Sequence, residues 1–175
     1  MSLPGGPTKD EIVAVSLAKL SLQPGDIVAD IGCGTGTVSV EAARRVAKVY
    51  AVDLREEAVA CTRDHARSHG MTNIEVSLGH GRDLIRRLPH IDAAFIGGSR
   101  DLSGMLTLLS EKRVRSVVVN AVLLSTLHEA VTTMQELSML REAIHVSVSR
   151  TAPLGEGLMF RPLDPVFIVV GGTPC

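Results

Sequence analysis

Tryptophan is missing from this chain, and the other aromatics are nearly so: Tyr50, Phe95, Phe160 and Phe167 make up 2% of the 175 residues. A protein that stacks single-stranded bases needs aromatic platforms, so that class is disfavoured, and the core has to be built from Val, Leu, Ile and Ala. Cysteine is scarce too. Cys33, Cys61 and Cys175 are an odd number without paired spacing, which fits neither a disulfide framework nor a cysteine-based zinc site. A surplus of positive charge is also lacking, with 18 basic residues against 19 acidic ones. Proteins that neutralise many phosphates usually carry a basic excess, so nucleic acid is not an expected partner. No apolar run is long enough to span a bilayer and no secretory leader is legible. The expectation is a cytoplasmic protein with no membrane partner.

What is present suits one globular domain over residues 1–175, in which Met1-Ser2-Leu3 carry no part of the pattern. Helical and strand-like segments alternate, as in a parallel sheet covered on both faces. Thr8-Lys9-Asp10-Glu11 reads as a capping box opening a helix with Val13, Leu17 and Leu20 on one face. Strands are expected at 27–31, 49–52, 74–78, 92–96 and 116–119, with helices at about 37–46, 55–69, 83–88, 102–109 and 125–137. The alternation then stops. Residues 143–150 and 166–170 are strands with no helix between them, and the linker 151–164, with Pro153, Gly155, Gly157 and Pro162, reads as a long hairpin loop. The expected fold is α/β and Rossmann-like, of the class I methyltransferase kind: a mostly parallel seven-stranded sheet ending in an antiparallel hairpin.

Chemistry concentrates in Asp30-Ile31-Gly32-Cys33-Gly34-Thr35-Gly36, between the first strand and the next helix. Open α/β sheets bind ligands at such strand ends, and glycines let a backbone approach a ligand closely. A dinucleotide fingerprint would need Gly at position 37, where Thr37 stands. Asp30 would repel a pyrophosphate but suits the amino group of a methionine moiety carried by a sulfonium, which points to S-adenosyl-L-methionine. Asp53 closes the second strand, where it is either a simple turn acid or an acceptor for both ribose hydroxyls. In the third loop, His80 and Gly81 lie where an adenine edge is expected, His80 acting through its side chain or the loop through its backbone.

On the substrate side the fourth strand ends in Phe95-Ile96-Gly97-Gly98-Ser99. The Asn/Asp-Pro-Pro-aromatic motif of amino-group methyltransferases is absent there. Gly97 and Gly98 either make an ordinary turn or leave room for a bulky substrate, and Ser99 lacks the setting of a hydrolase nucleophile. Methyl transfer asks mainly for alignment and exclusion of water, so no catalytic triad is expected. Asn120 is a candidate for orienting a substituent. Arg82, Arg100, Arg150 and Arg161, near predicted loops, are either solvated or convergent on a polycarboxylate. His65 and His69 share a helix face without a completing ligand, so they read as a surface pair and no metal is expected.

Further blocks make the pattern more specific: Gly5-Gly6-Pro7-Thr8-Lys9, Val119-Asn120-Ala121-Val122, Pro153-Leu154-Gly155, Met159-Phe160 and Asp164-Pro165-Val166. Together with the glycine loop and Phe95-Ile96-Gly97-Gly98-Ser99, the chain resembles the decarboxylating precorrin C15-methyltransferases of cobalamin biosynthesis, in their stand-alone cobalt-precorrin-6B form. The resemblance implies methylation at C15 of a corrinoid precursor, loss of CO2 from its C12 acetate, and a homotetramer. It also implies donor contacts at Thr8, at Gly32, Cys33, Gly34, Thr35 and Gly36, at Asp53 and at Gly81. His80 departs from the family, which usually has Asp there. Two alternatives stand beside this reading: another class I methyltransferase acting on tRNA or a small molecule, and a non-catalytic donor-binding subunit.

Overall fold

The computed structural model describes residues 8–98 and 100–173; Gly5-Gly6-Pro7 and Ser99 lie outside the described residues. Helix α1 (Asp10–Leu20) is followed by β1 (Ile27–Ile31), α2 (Thr37–Ala43), β2 (Lys48–Asp53), α3 (Glu56–Ser68), β3 (Ile74–Leu78), α4 (Gly81–Arg87), β4 (Ala93–Ile96), α5 (Leu102–Glu111), β5 (Ser116–Ala121) and α6 (Leu124–Glu136). Four strands close the chain: β6 (Leu140–Val146), β7 (Ser149–Leu154), β8 (Gly157–Pro162) and β9 (Val166–Gly171). The main sheet has seven strands in the order β3-β2-β1-β4-β5-β9-β6, with β9 antiparallel to both its neighbours. This is the expected architecture.

Each central strand is apolar on both sides because the sheet is covered twice. In β5, Val117 and Val119 enter the core beneath α4, α5 and α6, whereas Val118 turns to the opposite core beneath α1 and α2. The two-residue alternation of a strand divides a continuous apolar run between two cores. Leu84, Met105, Leu106 and Met134 fill the first; Ile12, Leu17, Val38 and Phe95 fill the second.

Three local expectations are corrected. Thr8 forms no capping box: Lys9 is the N-cap of α1, and no side chain caps it. Helix α2 stops at Ala43 instead of near Val46, where the Asn73 amide donates to the carbonyls of Ala43 (2.9 Å) and Val46 (3.0 Å) and so satisfies orphan acceptors at the helix end. The linker 151–164 is no loop. It folds into β7 and β8, an antiparallel ribbon separate from the main sheet, with Arg150 opposite Arg161 and Leu154 opposite Gly157. Both strands of a two-stranded ribbon are edges, where proline is tolerated, so Pro153 and Pro162 do not prevent pairing. Gly155 takes φ 58° in the two-residue turn, a positive φ of the kind that hairpin turns demand.

Candidate active site

The carboxyl ends of β1, β2, β4 and β5 and the loop after β3 open onto one edge of the sheet. The loop after β1 holds the centre. Gly32, Gly34 and Gly36 take φ values of 78°, 56° and 80°, a left-handed alternation that side chains resist. The N–H groups of Gly32 and Cys33 both donate to the Val52 carbonyl (2.8 and 3.1 Å), which ties the loop to β2. A Cβ on Gly32 would lie 2.7 Å from the Gly98 nitrogen, so the loops after β1 and β4 touch backbone to backbone. Helix α3 clamps the other side: the Thr62 hydroxyl donates to the Gly34 carbonyl (3.1 Å), and His65 Nδ1 lies 3.0 Å from the Thr35 carbonyl. His65 therefore has a positioning contact. His69 packs edge-on against it, and no metal-binding group occurs among the described residues.

Two cavities flank this loop. The first, about 310 Å³, runs over Ile31, Val52, Asp53, Gly79, His80, Gly81 and Met105. The second, about 500 Å³, is lined by Thr8, Lys9, Cys33, Gly34, Thr35, Asn120 and Asp164 among others. Gly32, Arg55 and Gly97 belong to both, and Gly98 to the first. Both volumes fall in the usual range of about 300–1,000 Å³ for small-molecule sites.

The structure thus brings Thr8, Gly32, Cys33, Gly34, Thr35, Asp53, His80, Gly81, Gly97, Gly98 and Asn120 to the cavity walls. Gly36 lines neither; its missing Cβ makes room for Thr62, whose Cα would be 2.9 Å away. Asp30 is also outside both cavities. It lies beneath the loop with 0% exposure and accepts a hydrogen bond from Ser39, and its Oδ1 finds no partner among the described residues. Burial pushes its pKa up to about 7, against the Ser39 hydrogen bond, and the charge of Asp53 adds to the rise. The sequence expectation sets Asp30 near a methionine amino group; here its carboxyl group lies beneath the loop, outside the walls of both cavities. Arg150 and Arg161 do not line the cavities either. Arg150 spans from the ribbon to α1 and makes a two-pronged pair with Glu11 (3.0 and 2.7 Å), which holds the guanidinium away from the site. Arg82 pairs with Asp101 at 3.0 Å, and Arg100 lines the first cavity.

Sequence reasoning missed Arg55, Lys9 and Asp164. Asp53 and Arg55, two residues apart, were the available signal for Arg55, because an arginine so close to a strand-end acid reaches the same cavity. Asp53 is buried, yet its carboxyl is held below the usual range: burial pushes it up, and hydrogen bonds from the Arg55 side chain, the Arg55 amide and the Gly34 amide outweigh that. Asn120 Oδ1 accepts from Ser16 at 3.1 Å, while its buried Nδ2 has no partner among the described residues. An unused donor in a cavity wall is available to a ligand oxygen. The Cys33 thiol is pushed up to about 12, chiefly by burial and next by the charge of Asp30, so it stays protonated and is no nucleophile. These residues can cradle, orient and exclude water; they suit a reaction whose leaving group needs no protein acid.

The profile of the precorrin methyltransferase domain family matches residues 4–171. A probable cobalt-precorrin-6B C(15)-methyltransferase (decarboxylating) of Methanosarcina acetivorans is 47% identical, over 98% of this chain and 96% of that protein. The crystal structure of a precorrin 8w decarboxylase of Methanobacterium thermoautotrophicum is similar with a TM-score of 0.92 and 29% identity, covering 99% of this chain and 96% of the other. A precorrin-6y C5,15-methyltransferase of Geobacter metallireducens has the same TM-score and identity, with 99% and 94% covered.

Proposed function

Because this chain belongs to the precorrin methyltransferase domain family, we propose that it methylates C15 of cobalt-precorrin-6B from S-adenosyl-L-methionine and removes the C12 acetate carboxylate as CO2, a step of cobalamin biosynthesis. The observation that carries this reading is the pair of cavities sharing Gly32 and Gly97 as a common wall. The first takes the donor's adenosine, the second its methionine tail, and the corrinoid lies over the seam between them, from Gly98 on one side to Asn120 on the other. The donor supplies an electrophilic methyl group on a sulfonium, and the residues supply the rest.

Asp53 accepts the ribose hydroxyls, and His80 and Gly81 border the adenine. The loop Gly32–Gly36 holds the sulfonium end, with Cys33 and Thr35 on the tail side and Thr8 across from them. Asp30 acts from below, as a buried group whose ionised form a nearby cation would favour. Gly97 and Gly98 form the floor on which a flat macrocycle rests. Among the described residues, the nearest atom to a Cβ added at Gly98 is Gly32 Cα at 3.8 Å, so their packing does not require that glycine. Asn120 Nδ2 orients a ring substituent. Decarboxylation breaks the bond between the acetate methylene and its carboxylate: the electron pair flows into the conjugated ring, CO2 leaves, and a proton taken up from solvent at the methylene carbon completes a methyl group. The same reading carries a cytoplasmic homotetramer; no helix among the described residues is long and apolar enough to cross a membrane.

The test is incubation of the purified protein with labelled donor and a panel of cobalt-precorrins and metal-free precorrins, followed by product mass. A product that has gained one methyl group and lost CO2 is expected. Gly98→Val should bind donor normally and lose turnover. If no precorrin is methylated, or Gly98→Val works at the normal rate, the substrate assignment falls.

A further inference from the structure

Asp53 has no acceptor capacity to spare. Its Oδ1 accepts from the Arg55 N–H (3.1 Å) and Arg55 Nε (3.0 Å), and its Oδ2 accepts from the Gly34 N–H (3.0 Å) and Arg55 Nη2 (3.1 Å). A carboxylate offers about four lone-pair sites, and all four are engaged. Two of the donors are backbone amides, fixed by the glycine loop and by the entry into α3. The other two belong to a guanidinium, which side-chain rotation alone can withdraw. A ribose diol that binds Asp53 must therefore take the places held by Arg55.

The guanidinium has somewhere to go. Arg55 is the one charged side chain common to the two cavities, among the described residues. Its side chain is 41% exposed, so it can rotate without disturbing the core. It also lies over the glycine loop: a Cβ built on Gly34 would be 4.0 Å from its Nη2. Held to Asp53, it already lines the cavity that Lys9 and Asn120 also line, so that cavity is within its reach. Arginine stays charged at any working pH, and its planar fork matches a second carboxylate as well as the first.

We propose that Arg55 is an exchange latch: an entering ribose displaces it from Asp53, and it then grips a carboxylate in the second cavity, so that nucleoside and carboxylate bind cooperatively. This rests on the donor reading above. The carboxylate is that of the donor's methionine moiety or an acetate of the corrinoid; the two share one chemistry and give different results below. The latch makes Arg55 a positioning and specificity residue, because a nucleoside without a carboxylate must break the Asp53–Arg55 pair with nothing to replace it.

Calorimetry distinguishes these cases with S-adenosylhomocysteine and 5′-methylthioadenosine, which has the same adenine and ribose but no amino acid. Arg55→Gln keeps the backbone amide bonded to Asp53 and removes the competitor. Methylthioadenosine should bind this variant about tenfold more tightly than the unaltered protein, the factor corresponding to one screened charge-assisted hydrogen bond. Arg55→Lys, which keeps the charge and loses the fork, should fall between. If the donor's carboxylate is the one gripped, the preference for S-adenosylhomocysteine over methylthioadenosine collapses in Arg55→Gln. If it is the corrinoid's, both nucleosides gain alike and the apparent KM for the cobalt-precorrin rises. Methylthioadenosine binding that is unchanged or weaker in Arg55→Gln overturns the latch while S-adenosylhomocysteine binding keeps the donor reading intact. Failure of both nucleosides to bind either protein overturns both.

Discussion

At the scale of single residues, Asp30 makes the sharpest claim about energetics. Its ordinary pKa is 3.8 and its buried value is about 7. Between those values the folded chain keeps a proton that the unfolded chain has released, so this group lowers stability as pH rises from about 4 to about 7, and its effect is level above that. Asp30→Asn cannot ionise and should lose this slope. Thermal melts of the two proteins should meet at the acid end and separate toward neutral pH, with the Asn variant the more stable. Parallel curves would mean that Asp30 is ionised throughout. Spacing alone marked Asp30 as an acid beside a glycine loop, and the fold confirms that proximity. It did not reveal that Ser39, on the following helix, would take one oxygen and bury the group. Arg150 was illegible for a related reason: its partner Glu11 is 139 residues away in the chain, and no local pattern announces so distant a pair. The glycine loop and Asp53 were legible because their geometry is decided within a few residues.

Among elements, the approach of α3 to the glycine loop is a contact that one methyl group can test. At Gly36 an added Cβ would meet Thr62 Cα at 2.9 Å on a backbone with φ 80°. Gly70 has a similar φ of 66° but nothing within 4 Å among the described residues. Gly70→Ala should therefore cost only the backbone strain of about 1–2 kcal/mol. Gly36→Ala should cost that and about 1–3 kcal/mol more for overpacking. Urea denaturation of both variants reads the difference; equal losses would show that α3 yields freely. The periodicity of helices and strands was readable because tertiary burial reinforces it. The ribbon of β7 and β8 was not, since its prolines and glycines spell a loop in any setting except a two-stranded one, where every strand has an open edge.

For the molecule as a whole, the ribbon is one element whose large apolar side chains the domain leaves uncovered. Leu158 and Phe160, two residues apart on one face of it, are 74% and 69% exposed, and apolar side chains gathered in this way usually mark an association surface. The proposed homotetramer should use it. Leu158→Asp and Phe160→Asp together should leave a folded protein that sediments below the tetramer mass, whereas an undiminished mass would place the interface elsewhere. The sheet order carries a separate consequence for how the chain emerges from the ribosome. Among the described strands β6 hydrogen-bonds to β9 alone, and β9 is made only after the whole ribbon. At about 5–20 residues per second, β6 waits on the order of seconds with neither edge paired. Arg141, Glu142 and His145 punctuate it, and polar or charged side chains of this sort discourage an unpaired strand from adopting the wrong neighbour. Because β6 remains the last strand of the finished sheet, the same side chains guard it in the nascent chain and afterwards.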